Sequence, residues 1–294
     1  MSLFPGLLII CASSVAVCSA LELPVKFNIE GTAGWVENLS RTSNAPDQRE
    51  AARLIATVGA TTFRNWKSGV VTSADLTATL DTIPDYSLAG ATTIGPQVGV
   101  RRKFGLGAFA PVLDATAALD HRDARHPSDD GWTTRATLRL GKRLTRAWRL
   151  ALAGDWQQHR ARAETFDTTH RRLFASVHWD VTPRWQLGAG AGRLWGDFTA
   201  NAAGPTWARA LAGDFGPAVF NYYRSVARET TGIYGADWVT YRVSGHADFQ
   251  WIELSPAIGR NTSLPVRFER LTATNLVGIE YQQDSVTLGL LHRF

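Results

Sequence analysis

The chain has 294 residues, with 31 Lys and Arg against 26 Asp and Glu and a net charge of +5. That length admits either two soluble domains or one large barrel, and the arginines lie at strand spacing rather than in the single run that a nucleic-acid patch requires. Both cysteines, Cys11 and Cys18, fall within the first 20 residues, so a chain cleaved after that segment holds no disulfide, thiol nucleophile or cysteine metal site.

Residues Met1 to Ala20 carry no charge, Leu7 to Ile10 form an apolar core, and Cys18-Ser19-Ala20 places small residues before Leu21. This predicts a cleavable export signal over 1–20 and one mature domain over 21–294. The apolar run is shorter than the ~20 residues of a spanning helix. No later stretch is long enough either, so a membrane would have to be crossed by a closed barrel.

Period-two alternation begins at once. Val25, Phe27, Ile29, Gly31, Ala33 and Trp35 share a face, followed by a polar loop from Asn38 to Asp47. Leu54, Ala56, Val58 and Ala60 mark the second strand, with Asp47 to Ile55 open to a short helix. Ala74, Leu76, Ala78 and Leu80 mark the third. Ile94, Val98 and Val100 mark the fourth, which Pro96 weakens because it cannot donate to a ladder. Leu113, Ala115, Ala117 and Leu119 mark the fifth.

Three strands then follow with short or polar joints: Trp132 to Gly141, Trp148 to Trp156, and Arg172 to Val181, the last after a polar loop from Gln157 to Arg171. Trp185, Leu187, Ala189 and Ala191 continue past the turn Thr182-Pro183-Arg184. Trp195 to Asp237 has no sustained period. It could constrict a barrel, hold a helix near Ala218 to Arg228, or extend two strands beyond a membrane. Tyr241, Val243, Gly245, Ala247, Phe249 and Trp251 are then expected to face outward, opposite Arg242, Ser244, His246, Asp248 and Gln250. A penultimate strand lies within Val266 to Tyr281, and Gln282-Gln283-Asp284 turns into the last.

These elements predict an all-β fold, a single transmembrane antiparallel up-and-down β-barrel of about twelve strands. Tryptophans near strand ends suit the two membrane interfaces. The face opposite the apolar one would line the lumen: Arg101, Arg135, Arg139, Arg149, Arg172, His178, Asp180, Arg242, His246 and Asp248 are the expected pore-lining residues. Guanidinium rows in such a lumen favour anions. The same arginines could instead pair with the lumen aspartates and fill the interior.

Ser176-His178-Asp180 and Ser244-His246-Asp248 hold the residue types of a hydrolase, but neighbours two apart on a strand are ~6.8 Å apart. The seven histidines lack metal-ligand spacing, so no cofactor or metal is expected. Gly188, Gly190 and Gly192 share one strand face, which suggests room made for a bulky neighbour.

The last residues, D-S-V-T-L-G-L-L-H-R-F from Asp284 to Phe294, resemble the closing strand of Gram-negative outer-membrane β-barrels. Val286, Leu288, Leu290 and Phe294 would form its assembly signal. Together with the signal segment and turns such as Thr182 to Trp185, the resemblance extends over nearly the whole chain. It implies location in the cell outer membrane, with outer-membrane lipids, lipopolysaccharide and the barrel-assembly machinery as partners. In size the chain is similar to roughly twelve-stranded channels that pass acidic oligosaccharides, whose Arg rows would correspond to Arg135, Arg139, Arg149, Arg172 and Arg242. Arg260 to Ser263 and the final strand also resemble the barrel of surface lipoprotein assembly modifiers. The expected function is therefore a passive channel for small, preferentially anionic solutes, not an enzyme. The alternatives are a non-conducting barrel for surface recognition, assembly or export, and a lipid or ester hydrolase.

Overall fold

A computed structural model describes residues 25–66 and 69–294; the expected export signal over 1–20 lies outside the described residues. The strands are β1 (Val25–Val36), β2 (Ala51–Asn65), β3 (Val70–Thr82), β4 (Ala91–Lys103), β5 (Val112–Ala124), β6 (Gly131–Arg143) and β7 (Trp148–Ala161), then β8 (Thr168–Thr182), β9 (Trp185–Ala202), the short β10 (Arg228–Thr230), β11 (Val239–Pro256), the short β12 (Thr262–Ser263), β13 (Val266–Asn275) and β14 (Glu280–Arg293). The twelve long ones pair antiparallel with their neighbours. β14 returns to β1 in register from Asn28↔Arg293 to Val36↔Ser285, which closes the barrel.

Closure follows from the outer surface. Ile29, Leu54, Leu80, Val98, Leu138, Leu152, Ile252 and Leu288 are all exposed, and so many large apolar side chains left bare on a folded chain require an apolar solvent. In hydrocarbon every backbone N–H and C=O must be paired internally, which a closed sheet achieves and an open one does not. Trp35, Trp132 and Trp195 lie toward one rim, and Trp148, Trp179 and Trp185 toward the other. Trp148 and Trp179 stack with centroids 5.4 Å apart.

Pro96 lies inside β4. The β4–β5 ladder is interrupted between Ile94↔His121 and Gln97↔Ala118 but keeps its register, so the missing donor breaks the ladder locally without ending the strand. The segment Asp47 to Ile55 holds no α-helix: a 3-10 turn at Ala45–Asp47 leads into β2.

At three joints the strands run past the alternating stretch for a shared reason, and the second of these is the extension beyond the membrane that the sequence left open for 195–237. The loop expected from Gln157 to Arg171 shrinks to 162–167, β9 runs on to Ala202, and the last strand starts at Glu280 rather than after Asp284. Beyond the hydrocarbon a strand keeps its ladder while both faces become polar or both become covered, so alternation ends before hydrogen bonding does. The excursion 203–238 contains α1 (Gly204–Ala212) and α2 (Pro217–Ser225), each with Pro in its first turn, where the missing N–H is harmless. Gly213, at φ +88, caps α1 in the left-handed conformation.

Leu138, midway along the outer row of β6, tests the assignment of faces. Leu138→Arg is expected to destabilise the folded barrel by about 2–4 kcal/mol, measured as a shift in the urea midpoint for folding into lipid vesicles; Thr137→Arg, on the lumen side, is expected to fold with a smaller loss.

Candidate functional site: the lumen wall and the mouth

The lumen side of β4 to β8 forms an arginine-rich wall. Arg101 pairs with Asp114 at 2.5 Å, Arg135 with Asp120 at 2.6 Å, Arg172 with Asp155 at 2.7 Å and Arg149 with Asp180 at 2.8 Å. Each pair joins adjacent strands directly or diagonally, because two lumen-facing rows bring their side chains within reach. Asp180 also accepts from Gln186 and has Arg143 at 4.0 Å. Arg139 has no ion pair among the described residues, and the buried Nε of Arg149 has no hydrogen-bond partner. The wall therefore sets Arg101, Arg135, Arg139, Arg143, Arg149 and Arg172 against four aspartates. Arg143 belongs to the inward row of β6 and was legible by parity from Arg139, although the sequence reading omitted it.

Arg242, His246 and Asp248 do not belong to this lumen row. The face assigned to β11 is inverted: Val243, Ala247 and Phe249 are buried on the lumen side, while Ile252 and Leu254 are exposed on the same side as Asp248. Asp248 forms a two-pronged pair with Arg193 of β9 on the outer surface, and the outward Arg270 and Asp284 pair likewise. Arg242 reaches Glu164 in the β7–β8 loop at 2.9 Å. Hydrophobicity misled the reading because this sector of the interior is itself apolar.

The glycine face explains part of that sector. A Cβ at Gly190 would lie 2.7 Å from the Trp251 ring, one at Gly188 3.1 Å from His178 and Trp251, and one at Gly192 2.5 Å from the Phe174 Cβ. Arg267, which pairs with Glu269, lies over the Trp251 ring at 4.5 Å, and Arg172 lies over Phe174 at 5.0 Å. Aromatic rings thus hold two lumen guanidiniums alongside their carboxylate partners. Farther up, lumen-facing Ala247, Ala273 and Tyr281 join Trp207 and Tyr223 of α1 and α2 in one buried cluster. The Tyr223 and Tyr281 hydroxyls are 2.9 Å apart, and both take hydrogen bonds from Asn275. Burial raises the Tyr223 pKa above its ordinary value, so the phenol stays neutral.

The mouth is bridged. Tyr234 donates to the Leu39 carbonyl at 3.1 Å and packs on Tyr86, Asn201 donates to the Ser40 carbonyl, and Glu229 lies 3.8 Å from His126. With Arg242 to Glu164, the β9–β11 hairpin and its excursion touch the four mouth-side loops, β1–β2, β3–β4, β5–β6 and β7–β8. Beneath lies a cavity of about 440 Å³, lined by Arg41, Arg53, His126, His170, Asp197 and Tyr234 among others. Burial pushes the Tyr234 phenol up to about 12.

Neither Ser-x-His-x-Asp row assembles into a relay among the described residues. Ser244 donates to Asp197 at 2.5 Å, and the Asp180 carboxylate is taken by Arg149 and Gln186. Asp129 and Asp130, near each other in the β5–β6 loop, bond Arg122 and the Ala124 N–H respectively. Val286, Leu288, Leu290 and Phe294 line the lipid-facing row of β14, and the Phe294 N–H donates to the Phe27 carbonyl across the seam at 3.0 Å.

No family model and no curated protein matches the sequence. Among solved structures, an outer membrane channel from Pseudomonas putida F1 superposes with a TM-score of 0.54 at 12% identity, covering 92% of this chain and 97% of that one. The chain shares the closed β-barrel fold of that channel. The KdgM porin, solved with disordered oligogalacturonate, aligns with a TM-score of 0.46 at 8% identity over 91% of this chain and 99% of that one. The NanC porin aligns at 0.45 and 7% over 90% and 98%.

The ledge under Trp251 can be tested directly. Gly190→Ala is expected to displace the indole and destabilise the barrel by about 1–3 kcal/mol, seen as a shift in tryptophan emission together with a lower unfolding midpoint. In the background of Trp251→Ala the same substitution is expected to be nearly neutral, a coupling that a double-mutant cycle reads.

Proposed function

We propose that this barrel is a passive channel for small solutes with a preference for anions. The observation that carries the reading is the cationic excess on the β4–β8 wall: Arg139 without an acid, and Arg143 and Arg149 gathered around the single carboxylate of Asp180. Most of the arginines pair with lumen aspartates, so the preference rests on the surplus and not on the whole row. Paired arginines still contribute, because a carboxylate passing along the wall exchanges one partner for another without leaving a guanidinium bare.

On this reading the wall residues take separate parts. Arg139 supplies an open positive charge, Arg149 is oriented by Asp180, and His178 sits within the field of Arg149 and Arg139. A second reading, a barrel that serves surface recognition, draws on the mouth, where the excursion 203–238 is tied to the other loops and presents the outer faces of α1 and α2.

Planar-bilayer recordings test the first reading. Discrete conductance steps are expected, with a reversal potential in a salt gradient that reports anion preference. A unit charge ~7 Å from an ion in water is worth about 0.6 kcal/mol, attractive for an anion and repulsive for a cation, so Arg139→Gln is expected to lower the anion-to-cation permeability ratio by a factor of up to about 7, and by less as salt screens the charge. A silent bilayer with correctly folded protein would point to the recognition role.

A further inference from the structure

The mouth cavity contains a cation with no counter-charge of its own. Arg53 is held by Asp81 at 2.5 Å, and Asp129 serves both Arg122 at 2.9 Å and His159 at 3.2 Å. Asp197, the nearby acid, takes the Ser244 hydroxyl at 2.5 Å and the Thr169 N–H at 3.3 Å. Arg41, in the β1–β2 loop, lines the same cavity and makes no side-chain hydrogen bond or ion pair among the described residues. Arg41 is exposed into this cavity, and the surrounding protein, with Arg53 adding to it, lowers its pKa from the ordinary arginine value.

The loop that carries Arg41 is pinned. The Asn38 side chain accepts from the Thr42 N–H at 3.0 Å and donates to the Thr42 carbonyl at 2.9 Å and the Gln282 carbonyl at 2.7 Å. Asn38 and Arg41 both adopt left-handed backbone, at φ 49 and 51, which residues other than glycine seldom do. Arg41 is exposed to the cavity, so its charge is met there by water and mobile anions and not by a fixed carboxylate.

We propose that the mouth cavity is a binding site for a small carboxylate solute, with the Arg41 guanidinium as its anion-binding group. A guanidinium fork matches the two oxygens of a carboxylate, and at about 440 Å³ the space lies within the roughly 300–1,000 Å³ of small-molecule pockets. Tyr234, neutral below about pH 12, and the neutral polar Gln157 and Asn201 complete a lining suited to hydroxyl-bearing acids. The inference rests on the channel reading, since it makes the cavity the capture point at the mouth.

Thermal unfolding of the detergent-folded barrel in gluconate against chloride at matched ionic strength, with sorbitol as the uncharged analogue, tests the site. Gluconate is expected to raise the wild-type Tm by about 2–4 °C through linkage while sorbitol does not; Arg41→Gln is expected to abolish the rise, and Arg41→Lys to keep part of it. Equal Tm values for the wild type in both salts, or an undiminished rise in Arg41→Gln, overturns the site. Bilayer recordings separate the two ideas: conductance without gluconate stabilisation defeats the site and leaves the channel, whereas stabilisation without conductance defeats the channel and supports the site.

Discussion

Every other feature of this protein depends on a seam of backbone hydrogen bonds. The pairing of β14 with β1 removes the last two sheet edges, and only then can a belt of leucine, valine and tryptophan face hydrocarbon without leaving peptide groups unpaired. Phe294 belongs to both requirements, with its ring on the lipid side and its N–H donating to Phe27. Closure also creates an interior, and that interior is where the chain departs from simple alternation.

Two solvents meet across one peptide thickness, and the interior is not uniform. On β4 to β8 it is wet and ionic, with guanidiniums and carboxylates neutralising each other between neighbouring strands. On β9, β11, β13 and β14 it is aromatic, because Gly188, Gly190 and Gly192 let Trp251 and Phe174 lie against the wall and because α1 and α2 dock there through Trp207 and Tyr223. The surplus of positive charge on one side opposite rings on the other gives the lumen a polarity across its width. Paired charges alone would leave it nearly neutral.

The mouth is built differently again. Strands that extend beyond the membrane have no lipid to face, so both surfaces of the β9–β11 hairpin are covered: Asn201 and Thr240 bond each other beneath the β1–β2 loop, while Tyr241 and Val243 pack on the helices. These contacts tie the long excursion to the other loops and roof the cavity that Arg41 lines.

Alternation in Phe27 to Trp35, Leu76 to Leu80 and Trp132 to Leu140 marked the chain by itself as a barrel of about twelve strands, because a lipid-facing residue must recur at every second position wherever hydrocarbon is the outer solvent; the count of twelve long strands came from the closed sheet. Arg101, Arg135, Arg139, Arg149, Arg172, His178 and Asp180 were legible as lumen residues for the same reason. Tertiary structure alone decided the rest. Arg242, His246 and Asp248 were placed wrongly because Tyr241 to Trp251 bury their apolar side against glycines and helices contributed by distant segments, and no local period distinguishes an apolar interior from an apolar exterior. Arg41 and Arg267 carried no signal at all: one lies in a loop and the other in a strand of undefined register, and what each does depends on a cavity or a ring that only the closed barrel brings to it.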